Sequence, residues 1–306
     1  MSALDTLKTF DLTNTPDLDV AVEGALELLS SAKLPEVNVP FQKPLVIGSV
    51  NAGTTGRIMF QDRPAVFASE SDFEVALERE EGIDGAVVIS ASGSKHSIQV
   101  AERLKELELP GVLFTNNPDA PAASFFDPGQ VFVFPKNREP YTYNTSTYFS
   151  MILSVTKEKP ADILAHVQKL KTIVSLGDFT GFTFVLPVEH MGVAPMLRVK
   201  FEELFGTKLC GRFFSPEEIK HAKTVVPDEH ELFVYVGMEE LDWGEEGKKT
   251  ELPLPDNSGA LGTLATCYHF IGQIQKAHPP YFKDNLARYC IEAGSHFGQE
   301  INPIVE

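Results

Sequence analysis

Cysteine is scarce, with Cys210, Cys267 and Cys290 the only three in 306 residues, and no pair of them has C-x-x-C spacing. An odd, scattered set in a chain this long excludes a disulfide framework and points to a reducing, cytoplasmic compartment. No apolar run reaches the roughly 18 residues a membrane helix needs. The opening Met1-Ser-Ala-Leu-Asp-Thr6 lacks a basic segment followed by an apolar one, so no secretory leader is expected. Basic residues are outnumbered, 26 Lys plus Arg against 43 Asp plus Glu, for a formal charge of −17. Such a field repels nucleic acid and anionic membrane as partners. An anionic ligand would need a local trap of backbone amides, hydroxyls and a few cations.

Several chemical signatures are also missing. Neither G-x-G-x-x-G nor G-x-x-x-x-G-K-[ST] occurs, which argues against a nucleotide cofactor. His278, His296 and the other histidines show no H-E-x-x-H spacing, so no metal is expected. No G-x-S-x-G elbow is present, which disfavours a serine hydrolase. The cysteines lack a His/Asn signature and read as packing residues.

Short apolar runs alternate with helical patterns along the chain. Val20, Val22, Ala25, Leu26, Leu28 and Leu29 line one helix face. Strands are expected at Pro44–Ser49, Ala65–Ser69, Gly85–Ser90, Gly111–Thr115 and Gln130–Phe134, with helices over Asp72–Glu80, Ser97–Leu107 and Thr145–Val155. A second round follows a helix over Pro160–Thr172. It has strands at Thr183–Pro187, Glu231–Val236 and Lys249–Leu254, and helices at Pro195–Phe205 and Leu261–Lys276. The acidic stretch Met238–Lys248 reads as a surface loop. This order predicts an α/β protein with two flavodoxin-like parallel-sheet halves in three αβα layers, the second half shortened. The expected division is a helical segment over 1–40, one half over 41–160, another over 161–295, and a tail over 296–306.

Ligands of open parallel sheets bind beyond the carboxyl ends of the strands. Asn51-Ala-Gly-Thr-Thr-Gly-Arg57 follows the first strand, and Ser90-Ala-Ser-Gly-Ser-Lys-His-Ser97 follows the third. Both turns are rich in glycine and hydroxyls and both open a helix, whose free N–H groups suit a phosphate. Lys95 and Arg57 offer cations nearby. Each turn alone is also what an ordinary helix cap looks like.

The Ser-x-Ser-Gly turn resembles the phosphosugar loop of the sugar-isomerase (SIS) domain family. The resemblance spans roughly residues 40–290 and implies a double-SIS protein. Ser90 and Ser92 match the loop serines that hold phosphate, and Thr55 matches the hydroxyl after the first strand. Lys95 stands where a relative has threonine. Thr54, Gly93, Ser94 and Ser97 complete the implied phosphosugar-binding set. Glu139–Tyr148 resembles the Glu-and-hydroxyl segment closing the first domain, which brings in Glu139 and Thr145. Pro216-Glu-Glu-Ile-Lys-His221 resembles the family's Glu-Leu-Lys-His, whose histidine helps open the sugar ring. With a short insertion near Gly206, Lys200 and Glu203 fall on the family's Lys and Glu; without it, Phe205 takes the glutamate's place. Asp284-Asn-Leu-Ala-Arg288 resembles a C-terminal Asn-Leu-Ala-Lys segment, with arginine for lysine.

The resemblance implies aldose–ketose isomerisation of a hexose phosphate through an enediol. His221 would serve ring opening, Glu203 would take the carbon-bound proton, and Lys200 or Arg288 would steady the oxyanion. It also implies a homodimer with the active site at the subunit interface. A phosphosugar deglycase, or a non-catalytic phosphosugar-binding regulator, are the alternative readings. The bland reading of Lys200 and Glu203 is an i,i+3 helix pair, of His221 a surface helix cap, of Arg288 a structural ion-pair residue. His190 follows a strand and could face a ligand.

Overall fold

A computed structural model describes residues 2–170, 174–222 and 226–306. Two helices come first, Ala3–Thr9 (α1) and Leu18–Leu29 (α2). Ser2 caps α1 by accepting from the Asp5 N–H at 3.1 Å. The apolar face of α2 buries Val22, Ala25, Leu26 and Leu29.

The first sheet comprises Pro44–Ile47 (β1), Val66–Ala68 (β2), Gly85–Ile89 (β3), Gly111–Thr115 (β4) and Val131–Val133 (β5). Its order is β2-β1-β3-β4-β5 and every pairing is parallel. All residues of β1 and β3 are buried, as expected of strands covered on both faces. Asn51–Met59 (α3), Phe73–Arg79 (α4) and His96–Glu106 (α5) follow β1, β2 and β3. Val100, Ala101 and Leu104 of α5 pack on Leu45, Ile47, Val88 and Leu113 of the sheet. The chain runs from β1 out to β2 on one side and from β3 to β4 on the other. The order therefore reverses between β1 and β3, and the turns after these two strands lie at the switch point.

Glu139–Pro140 (β6) pairs antiparallel with Ile304–Val305 (β11). Between them come Thr145–Thr156 (α6), Pro160–Val167 (α7), and a second parallel sheet of Gly181–Val185 (β7), Cys210–Phe214 (β8), Glu231–Val236 (β9) and Lys249–Leu252 (β10). Its order is β10-β9-β7-β8. Ala194–Phe205 (α8), Pro216–Ile219 (α9), Ala260–Ala277 (α10) and Tyr281–Phe297 (α11) accompany it. Contacts divide the chain into two units. One holds Met1–Ser31, Asn137–Ser146 and Glu158–Glu306; the other holds Ala32–Lys136 and Thr147–Lys157.

The parallel order matches expectation, with the five strands expected in the first sheet and four in the second where three were expected. Four details differ. Strand β8 was not anticipated, because Cys210-Gly-Arg-Phe-Phe214 has a polar first half; Arg212 earns its place by pairing with Glu231 and donating to Thr183 Oγ1 at 3.1 Å. Helix α11 was foreseen only as the short Asn-Leu-Ala-Arg motif. The Met238–Lys248 loop is not purely a surface feature, since Met238, Leu241 and Trp243 pack on Val185, Ile219, Phe233 and Tyr235. The helix expected over Pro160–Thr172 spans Pro160–Val167, and residues 171–173 lie outside the described set.

Candidate functional site

The turns after β1 and β3 share one backbone device. Val50 precedes α3 with φ 52 and ψ −115, and Lys95 precedes α5 with φ 57 and ψ −124. This is the mirror-image turn conformation normally left to glycine. A side chain there costs about 1–3 kcal/mol, and such strain concentrates at functional sites. Val50 is also 65% exposed, so no packing accounts for it.

The N-terminal half of α3 carries two unanswered polar atoms. Thr55 is fully buried and its Oγ1 has no partner among the described residues; the same holds for Oδ1 of Asn51. Buried polar atoms are almost always paired, so a pair of orphans at a switch point marks a place for an outside donor or acceptor. Thr54 instead donates to the Val50 carbonyl at 3.2 Å. Beside α3, Ser49 donates to Glu70 Oε2 at 2.7 Å.

The β3–α5 turn presents hydroxyls. Ser92 and Ser94 lie Oγ to Oγ at 2.7 Å, Ser92 exposed and Ser94 half-buried. Gly93, at φ +58, lets the turn close: a Cβ there would come within 2.4 Å of the Ala120 Cβ. Asn117 donates to the Ser92 carbonyl at 3.0 Å, and Thr115 to that of Ala91 at 3.0 Å. Ser97 is buried and donates to the Ser94 carbonyl at 2.7 Å, so it braces the turn from within. Ser90 is half-buried at the end of β3, and its N–H bonds the Phe114 carbonyl at 2.9 Å. Lys95 is exposed, while Arg57 lies over the Phe67 ring at 4.8 Å. Asn51 and Asn117 were not among the expected site residues. Asn51 betrays itself only through burial, and Asn117 only through its reach back to Ser92.

The remaining candidates belong to the other unit. Lys200 is fully buried, and its ammonium donates to the Thr142 carbonyl and to Glu203 Oε2, the latter at 2.7 Å. It also lies 5.6 Å from the centroid of Tyr268. A buried charge persists only with such partners. The Glu203 side chain is 25% exposed and opens onto a cleft beside α11. Phe205 faces the core, its ring 4.6 Å from that of Phe201. His221 is exposed on the turn after α9. Arg288 is exposed on α11 and pairs with Glu292 at 2.7 Å. Glu139 is buried and accepts from the Thr145 N–H at 2.9 Å and from its hydroxyl, so these two side chains serve each other.

Two further polar side chains are held in the same unit. Glu158 takes three backbone N–H groups at the start of α10, from Gly259 at 2.7 Å and from Leu261 and Gly262 at 2.9 Å. That internal carboxylate fills the anion position of the second sheet's long helix. His190 Nδ1 lies 3.1 Å from Thr263 Oγ1, which itself donates to the Gly259 carbonyl; the ring nitrogen is therefore the donor. Burial pushes the His190 pKa down. Asp19, Glu23 and His269 bring ligand atoms within 4.8 Å of one another, but Lys276 and Gln273 already answer Asp19. Of the cysteines, Cys267 and Cys290 are buried as packing residues, whereas Cys210 is exposed.

No protein-family model matches this sequence, and no curated protein matches it. Solved structures do. The C-terminal domain of glucosamine-fructose-6-phosphate aminotransferase from Francisella tularensis is 14% identical with a TM-score of 0.60, over 92% of this chain and 96% of that one. The tagatose-6-phosphate ketose/aldose isomerase from Escherichia coli is 14% identical with a TM-score of 0.58, over 92% of each chain. Glucosamine-6-phosphate deaminase from Thermotoga maritima is 14% identical with a TM-score of 0.55, over 90% of this chain and 94% of that one. No helix among the described residues is long and apolar enough to cross a membrane. The two parallel sheets, their strand orders and these matches together show that the chain has the double sugar-isomerase-domain fold.

Proposed function

We propose that the chain is a phosphosugar isomerase that interconverts the aldose and ketose forms of a hexose phosphate. The carrying observation is the Glu203 carboxylate, fixed by the buried Lys200 ammonium yet open to solvent on one side. A fixed, partly exposed carboxylate suits removal of a proton from carbon, and a cation beside it suits the enediolate that results.

In this reading the Ser90–Ser97 turn, with Thr54 and Thr55, receives the phosphate through neutral donors, which fits a chain of net charge −17. His221 opens the sugar ring, and its exposure suits service to a partner chain in a homodimer. Glu203 moves the proton between C1 and C2. Arg288 is 75% exposed and tied to Glu292, so Lys200 is the better candidate for the oxyanion. Glu139 and Thr145, bonded to each other at the start of α6, close the phosphosugar-binding set.

A second reading is a phosphosugar-binding protein without chemistry. It is favoured by the same ion pair, because one oxygen of the Glu203 carboxylate is already taken by the Lys200 ammonium.

The test is incubation with fructose 6-phosphate, glucose 6-phosphate and mannose 6-phosphate in deuterated water, followed by proton NMR. Deuterium at C1 or C2, falling about 10²–10⁴-fold in Glu203→Gln, is the expected result. No exchange with any of them, together with thermal stabilisation by one, overturns the isomerase in favour of the binder.

A further inference from the structure

Helices α2 and α10 meet at a seam that buries charge. Gly272 of α10 lets them close, since a Cβ there would stand 2.7 Å from the Asp19 Cβ. The contact brings Asp19 and Glu23, one turn apart on α2, to His269 of α10. Each of the three offers a ligand atom within 4.8 Å of the others. Asp19 and His269 are 2% and 5% exposed. The Glu23 side chain is 25% exposed and gives the seam an opening to solvent.

The internal partners leave this group incomplete. Gln273 donates to Asp19 Oδ2 at 2.7 Å, and the Lys276 ammonium takes the same oxygen. Asp19 Oδ1 is buried and has no partner among the described residues. A carboxylate oxygen only accepts, so what it lacks is a cation or a proton donor from outside the chain. Lys276 reaches in from the surface with 43% of its side chain exposed, so it can withdraw into solvent.

The geometry suits a transition metal. His269 Nε2 and Glu23 Oε1 stand 3.2 Å apart. Two ligands about 2 Å from a tetrahedral zinc stand about 3.3 Å apart, so an ion fits between them with little movement. Metal at Nε2 requires the imidazole proton on Nδ1, and nothing among the described residues donates to the His269 Nδ1. Asp19 Oδ1 supplies a third ligand, and water entering beside Glu23 a fourth. The imidazole favours Zn²⁺ over Mg²⁺. His269 and Glu23 lie 246 positions apart in sequence, so no spacing motif announces the set.

We propose that Asp19, Glu23 and His269 form a zinc site that staples α2 to α10, with the Lys276 ammonium standing in for the ion. No step of the proposed sugar chemistry uses these residues.

The experiment is calorimetric titration of the EDTA-treated full chain with ZnCl₂, paired with its melting temperature. A Cys210→Ser background removes the exposed thiol as a rival ligand. One Zn²⁺ binds per chain and raises the melting temperature, and MgCl₂ does neither. Glu23→Gln, at the part-exposed ligand, and His269→Gln each weaken zinc at least about tenfold. Lys276→Met removes the competing charge and tightens zinc about tenfold. A salt bridge that serves the fold alone gives no such gain. Absence of zinc binding, which would leave buried water as the partner of Asp19 Oδ1, overturns the site. So does zinc binding that survives either ligand substitution, equal binding of MgCl₂, or unchanged or weaker zinc in Lys276→Met.

Discussion

Glu158 Oε1 lies close over Gly262: a Cβ there would sit 2.9 Å from it and 2.4 Å from Ser258 Oγ. The same oxygen accepts the Gly262 N–H at 2.9 Å. A Cβ on Gly259 would likewise come within 2.9 Å of Oε2. The glycines let the carboxylate approach the backbone, and the carboxylate satisfies amides that the first turn of a helix leaves free.

Removing that carboxylate strands three N–H groups at once. Glu158→Ala is expected to cost about 2–3 kcal/mol in urea unfolding, the scale of hydrogen bonds to a charged group. Glu158→Gln keeps one acceptor oxygen and should lose less. A Glu158→Ala chain as stable as wild type would show that water replaces the carboxylate without loss.

Thr55 invites the opposite experiment. Its buried hydroxyl has no partner among the described residues, and an unmet polar group of this kind costs about 1–3 kcal/mol. Thr55→Val removes the hydroxyl at nearly constant shape. The free chain should become more stable by about 1 kcal/mol, while thermal protection by glucose 6-phosphate shrinks. If protection is unchanged, Thr55 has no part in holding the ligand.

Acid should weaken the fold through two histidines. Burial lowers the pKa of both His190 and His278 below the ordinary 6.5. His278 Nε2 also lies 3.1 Å from the Leu176 carbonyl. Between the folded value and 6.5 the unfolded chain binds more protons, so stability rises with pH across that window and is complete above it. The melting temperature should fall as pH drops below 6.5, and His190→Gln should reduce the slope. At lower pH, Glu23 adds to the loss: the hydrogen bond from His269 holds its pKa below 4.5, so its contribution is present above 4.5 and disappears as the folded carboxylate is protonated.

Much of the frame could be read from residues. Gly85-Ala-Val-Val-Ile89 has the continuous apolar run of a strand buried on both faces, and the hydroxyl-rich turns announced helix starts. The i,i+3 spacing of Lys200 and Glu203 foretold their ion pair. Other features depend on tertiary partners that no local pattern reveals. Strand β8 hides its identity because Arg212 is answered by Glu231, which stands 19 residues away in sequence. Helix α11 carries Tyr289, Ile291 and Phe297 on its exposed face, which blurs its apolar stripe. The orphaned state of Asn51 and Thr55 becomes visible only once burial is known.

Val50 and Lys95 mark where the first sheet stores strain. Two turns at the heart of the first sheet take a glycine-like shape without glycine, so the strands and helices around them impose the shape. Glycine at either position would take the same φ without a Cβ to strain it, so Val50 and Lys95 each hold back stability that the fold could otherwise have.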